Sequence, residues 1–166
     1  MNPNLSNAAA EQSDDRDFVL AAVKMSGVAI RYASERLRAD PEVALQAVRQ
    51  NGRALEFVAE NLRRDRKIVQ AAVGKWAITL QFAAPELRDD RDIVLRAVRK
   101  WGVAVKYASE RLRADREIVL TAVKRNSAAL KYASHELRAE LKDGHPLVRQ
   151  LGTGAVTLSR AADEEG

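Results

Sequence analysis

The sequence predicts an all-α fold: a right-handed-type α-solenoid of five 25-residue two-helix repeats, followed by a non-repeating C-terminal cap and tail. Three observations lead there. Asp15, Asp40, Asp65, Asp90 and Asp115 recur every 25 residues without insertion. In phase with them run an Ala-Val column (Ala22 and Val23 in the first unit) and an aromatic column, Tyr32, Phe57, Phe82, Tyr107 and Tyr132. A Leu-Arg pair closes every unit, from Leu37 and Arg38 to Leu137 and Arg138. The helices such a pattern encodes are shorter than the roughly 12–15 residues at which an isolated helix becomes marginal in water. They must be stabilised by stacking on neighbouring units, which is the physical definition of a solenoid.

The elements follow in chain order. Residues 1–14 hold Glu11 and Asp14 and no base, so they read as a flexible lead-in and not as a presequence. Residues 15–39, 40–64, 65–89, 90–114 and 115–139 are the five units. Each opens on an Asp placed to accept hydrogen bonds from the free N–H groups of a first helix. Pro41 suits the first helical position, where a missing N–H costs nothing. Asp17, Glu42, Asp92 and Glu117 add negative charge to the first turn, and Lys67 is the exception. Apolar residues at the fourth, fifth, eighth and ninth positions of a unit form one helical stripe. Gly27, Gly52 and Gly102 then read as left-handed C-terminal residues, replaced by Ala77 and Ser127 in two units. A second helix of about two turns, carrying Ile30 and Ala33 in the first unit, ends at the Leu-Arg pair. The aromatic column is placed to fill gaps between layers. Residues 140–166 leave the repeat; Leu141, Leu147, Val148, Leu151, Val156 and Leu158 supply apolar cover for the last unit, and 161–166 read as disordered.

The run Asp-Arg-x-Ile-Val-x-x-Ala-Val-x-x-x-Gly-x-Ala-Leu-x-Tyr-Ala-Ser-x-x-Leu-Arg, fullest in residues 90–113 and 115–138, resembles the tandem helical repeat family termed domain of unknown function 4116. The resemblance covers residues 15–139 and implies a helical array, with no catalytic residues assigned. Trp76 and Trp101 depart from it, standing where Asn51 and Asn126 carry the usual residue.

Composition narrows the chemistry. The absence of Cys removes disulfides, thiolate metal sites and cysteine nucleophiles, and two His ten residues apart across a turn are not a metal-ligand spacing. Ser34, Ser109 and Ser134 have no base poised beside them, and Gly152-Thr153-Gly154 lacks the Lys and the strand of a phosphate loop. No cofactor and no metal is expected, and no apolar run is long enough to span a membrane. The chain carries net charge +5, while the repeat array alone holds 25 bases against 16 acids. Such an excess favours an anionic partner.

Two sets of residues stand out. Trp76 and Trp101 share the twelfth position of adjacent units, beside Lys75, Arg99 and Lys100. Either the indoles cover the inter-helix turns and pack on each other, or they form a recognition surface for a protein or a nucleic acid. Arg38, Arg63, Arg88, Arg113 and Arg138 form a column that is either an anion ladder or a set of structural partners for nearby acids. The expected function is a non-enzymatic scaffold or adaptor that binds a protein partner along an extended face; nucleic-acid binding through the basic surface is the alternative. A monomer in the cytoplasm is expected.

Overall fold

The structure, a computed structural model, describes residues 10–144, with side chains for residues 11–142. Ordered along the chain are α1 (Ala10–Ser13), α2 (Arg16–Met25), α3 (Glu35–Arg38), α4 (Pro41–Gln50), α5 (Arg66–Lys75), α6 (Pro85–Arg88), α7 (Arg91–Lys100), α8 (Glu110–Arg113), α9 (Arg116–Arg125) and α10 (His135–Gly144). Between them run 3₁₀ segments at Gly27–Tyr32, Gly52–Glu56, Glu60–Arg64, Ala77–Phe82, Gly102–Tyr107 and Ser127–Tyr132. No strand is present among the described residues.

The capping Asp residues start α2, α4, α5, α7 and α9, the long helices of the five units, each of ten residues. A side-chain oxygen of Asp40, Asp65 and Asp90 each accepts from two backbone N–H groups of the first turn, and that of Asp15 and Asp115 from one. Each helix ends at the twelfth position of its unit, where Ser26, Asn51, Trp76, Trp101 and Asn126 turn to extended backbone.

The expected second helix is divided. A 3₁₀ segment of five or six residues comes first, then an extended residue, then one further helical turn. In three units the break has a local cause at the twentieth position, where Ser34, Ser109 and Ser134 each turn an oxygen onto the N–H of the Leu three residues later, while Ala59 of the second unit breaks without a side-chain cap. An N-cap in mid-segment begins a new turn instead of continuing the old one. Pro85 enforces the same break in the third unit.

Glycine in the thirteenth column serves a purpose other than the one expected. No described residue has positive φ, so a left-handed cap is ruled out. The requirement is close approach: a Cβ on Gly52 would stand 2.5 Å from the carbonyl oxygen of Ala72 in the next unit, and Gly27 and Gly102 lie nearer still to Ala47 and Ala122. The first, second and fourth units therefore press the backbone after their helix against the last turn of the following helix. Ser127 is exposed, because among the described residues no further unit stacks on it.

The long helices lie side by side in one direction. Their C-terminal ends meet through the glycine contacts, and their N-terminal ends through ion pairs. Arg16, Arg66 and Arg91 each bridge the capping Asp and a first-turn acid of the next unit: Asp40 and Glu42, Asp90 and Asp92, Asp115 and Glu117. Arg116 continues the series to Glu140. A backbone stitch repeats as well, from the N–H at the twentieth position to the carbonyl of the preceding unit's closing Arg: Ala59 to Arg38, Ala84 to Arg63, Ser109 to Arg88 and Ser134 to Arg113, at 2.9–3.0 Å. Residues 10–14, read as flexible lead-in, imitate the end of a unit. The Ser13 carbonyl accepts from Ser34 N–H, and Asp14 takes the Ser34 hydroxyl and the Arg36 guanidinium.

The core is one continuous cluster of Ala, Val, Leu and Ile from all five units. Phe57, Phe82, Tyr107 and Tyr132 pack on it half-buried, while Tyr32 is exposed. The aromatic column therefore does not fill interior gaps. It lies along the surface beneath cations: Arg31 over Tyr32 and Phe57, Lys106 over Tyr107, Lys131 over Tyr132, at 4.6–5.4 Å from the ring centroids. Leu141 is buried against the last unit; the other expected capping residues, His145, the Gly152-Thr153-Gly154 run and the terminal acids lie outside the described residues.

Candidate binding cleft

The Arg column is turned inward. All five side chains are half-buried, and none forms an ion pair among the described residues. Arg63 donates through Nε to the Val58 carbonyl and through Nη2 to Glu56, and Arg138 donates to the carbonyl of Lys131. The Nε atoms of Arg38, Arg88 and Arg113 are buried without a hydrogen-bond partner. Neither expected role is met, since the column presents no row of outward guanidinium groups and takes no acids. The acids at the unit junctions are held instead by the second-position Arg residues, a series that sequence reading passed over in favour of the fully repeated column.

The tryptophans are brought together. Trp76, Trp101, Lys75, Arg99 and Lys100, joined by Ala77, Ile78 and Arg125, line one cleft of about 610 Å³ between the third and fourth units. The indoles do not pack on each other; Trp101 is half-buried with its ring 6.4 Å from Tyr107 and tilted by 37°. Trp76 is 49% exposed. Arg125, from the fifth unit, was not foreseen in this group.

Why the cleft lies here follows from the thirteenth column. Ala77 carries the methyl group that the other inter-unit junctions exclude, and it is buried at 3% exposure. Its Cβ occupies space that a carbonyl of the next unit fills elsewhere, so α7 must stand off. Consistently, α5 and α7 are the least closely packed of the consecutive long helices. Leu87, at the close of the third unit, is only half-buried, whereas Leu37 and Leu112 are fully buried. Gly74 helps in a different way. A Cβ on it would stand 3.1 Å from the Arg96 guanidinium, which its missing side chain admits, and its carbonyl receives the Lys100 ammonium.

Two local stabilisations are absent at the cleft. At the twelfth position Asn51 and Asn126 accept from the N–H two residues on, capping the 3₁₀ segment. Trp76 and Trp101 cannot do this, and only a Thr79 hydroxyl bond to the Trp76 carbonyl, at 2.7 Å, is made in its place. A lost cap costs about 1 kcal/mol. An exposed indole adds to that cost.

The electrostatics are one-sided. Lys75, Arg99, Lys100 and Arg125 have no ion pair, and no acid lines the cleft. The same edge carries Lys24, Arg49 and Lys124 in the last turns of α2, α4 and α9. Because the helices run in one direction, their negative dipole ends gather on this edge, which accounts for a row of bases but not for the indoles. Among the described residues no group of His, Asp or Glu is placed to hold a metal ion, and no helix is long and apolar enough to cross a membrane.

No curated protein matches the chain significantly, and no solved structure does. A family model matches four overlapping segments, residues 15–63, 40–88, 65–109 and 90–138, whose starts step by the same 25-residue period as the capping Asp residues. A tandem helical array with this spacing over most of its length belongs to the family described as Domain of unknown function (DUF4116).

Proposed function

We propose that the chain is a non-enzymatic, monomeric helical-repeat adaptor of the cytoplasm, which docks a partner protein at the cleft between its third and fourth units. The observation that carries this reading is a cleft at the junction where alanine stands in the glycine column, with two tryptophans at the twelfth positions beside it. Large aromatic side chains in a partly enclosed pocket ringed by cations have the composition of a protein-binding hot spot. A nucleic-acid strand is less well matched. Base stacking along a strand calls for a series of aromatic platforms, and the other twelfth-position residues are Ser26, Asn51 and Asn126. The Arg column is half-buried, with Arg63 and Arg138 turned onto backbone carbonyls.

The test replaces Ile78, on the cleft wall, with a photo-crosslinking phenylalanine analogue. Irradiation in a lysate of the source cells is expected to give a discrete protein adduct, lost when Trp76 and Trp101 are both changed to Ala. The same analogue at Met25, exposed but off the cleft, should not give it. Nuclease-sensitive adducts in place of protein, or adducts identical at both positions, would overturn the proposal.

A further inference from the structure

The cleft is asymmetric in a way that identifies its occupant. Its floor is apolar, formed by Trp76, Ala77, Ile78 and Trp101, and its rim is cationic with no acid. The rim continues along the stack as Lys24 and Arg49 on one side and Lys124 on the other, all exposed and none in an ion pair among the described residues. The opposite edge differs: there the second-position Arg residues are engaged by capping and first-turn acids. An approaching anion therefore meets a row of cations without carboxylate partners along this edge, with the apolar pocket near the middle of that row, whereas on the far edge Lys67 alone of the first-turn positions offers one.

Building on the adaptor reading above, we infer that the occupant is an acidic peptide segment with a central aromatic or long aliphatic anchor. The anchor seats on Trp76 beside Ala77 and Ile78, and carboxylates to either side face Lys75, Arg99, Lys100 and Arg125 in the cleft, then the bases of the neighbouring last turns. The pocket is large enough for one bulky side chain with its flanking backbone. The Lys and Arg stems give apolar cover around the anchor while their charges stay at the rim. Such an arrangement divides the work: the anchor supplies affinity, and the charged edge supplies rate of encounter and orientation.

The experiment is fluorescence anisotropy with dye-labelled synthetic probes added to the full chain. The first probe is a short peptide with a central Leu-Phe pair flanked by Glu; a second has Gln for every Glu; a third keeps the Glu and has Ala for Leu-Phe; the fourth is oligouridylate. The first is expected to bind, with both altered peptides weaker by more than about tenfold. Trp76→Ala should abolish binding, and Arg99→Ala with Lys100→Ala should weaken it and flatten its salt dependence. Arg16→Ala, on the far edge, should leave it unchanged. Circular-dichroism melts establish that each variant is folded. Equal binding of the Gln peptide would overturn the acidic partner and leave the docking reading standing. Tight oligouridylate binding that Trp76→Ala removes would overturn both. If no peptide binds while the Ile78 adduct still depends on the tryptophans, the acidic-anchor inference fails and the docking reading does not.

Discussion

Pro41 and Lys67 occupy the two places, one in each of two adjoining units, that hold an arginine and its carboxylate partner at the other junctions. Arg16 reaches Glu42, Arg66 reaches Asp92 and Arg91 reaches Glu117. At the junction between the second and third units both partners are changed together, and Asp65 is left to cap α5. The one base in an otherwise acidic column thus has a reason: the cation that an acid would have met is a proline ring.

Restoring that rung should produce coupling without large gain. Pro41→Arg and Lys67→Glu together are expected to show an interaction energy of about 0.5 kcal/mol in a double-mutant cycle read by urea unfolding. Exposed pairs of this kind seldom give more. A cycle that closes at zero would mean that the rungs seen elsewhere do not contribute to cohesion of the stack.

The glycine column predicts opposite outcomes at equivalent positions. Gly52→Ala should cost about 1–3 kcal/mol, because its methyl would meet the Ala72 carbonyl. Ser127→Ala, on an exposed residue, should stay within about 0.5 kcal/mol of neutral. Ala77→Gly removes the methyl that holds α7 away. Its signature should be a blue shift of tryptophan emission and slower quenching by acrylamide, as Trp76 loses exposure.

Capping and indole exposure are opposed at Trp76. Trp76→Asn should raise stability by about 1 kcal/mol by supplying the cap that Asn51 and Asn126 make in their units. Asn51→Ala should lower it by a similar amount. Trp101→Asn is expected to gain less, since it forfeits the packing of the indole on Tyr107. Thermal melts of the three variants decide the matter, and a Trp76→Asn protein less stable than the parent would contradict the account.

The core should respond unevenly to truncation. Leu112 is fully buried and Leu87 is not. Leu112→Ala is expected to cost about 3 kcal/mol, and Leu87→Ala well under that, because part of its side chain is already in contact with solvent. Equal losses in urea would mean that burial at this position does not govern the cost of truncation.

Acid should loosen the junctions. The carboxyls of Asp14 and Asp89 lie below their ordinary value, held there first by the Ser34 and Ser109 hydroxyls and then by Arg36 and Arg111. At Asp40 and Asp115 burial is the largest influence and pushes upward, but the N–H groups of Val43 and Ile118 with the Arg16 and Arg91 guanidinium groups outweigh it. A carboxyl depressed by folding stabilises the native state above its unfolded value and loses that contribution as pH falls through the folded one. Melting temperature is therefore expected to fall below about pH 4, the ordinary Asp range. Asp89→Asn should lower the neutral-pH value and make the acid limb shallower, as followed by circular dichroism.

The period, the caps and the apolar stripe were legible because each depends on local chemistry: a carboxylate before a helix, a spacing of small and branched residues. What escaped sequence reading depends on neighbours. Gly27 looks like a left-handed cap until the Ala47 carbonyl is seen against it. Arg38 and Arg16 are both arginines near an Asp; only the packing of adjacent units decides that Arg16 takes the acid while Arg38 is drawn inward. Trp76 and Trp101 were visible as an irregularity, but the cleft was not, because it arises from Ala77 through a clash that no single repeat contains.

The opened junction keeps its stitches on the other side. Ser109 still donates to the Arg88 carbonyl, and Arg66 still spans Asp90 and Asp92. The third and fourth units are thus joined along a spine and parted along the opposite edge, like two pages of a book, with one methyl group as the wedge. Alanine and glycine codons differ by a single base, so the difference between a closed junction and an open one lies within reach of one point mutation. Repeat arrays of this design can open or close an inter-unit cleft without changing length, period or fold.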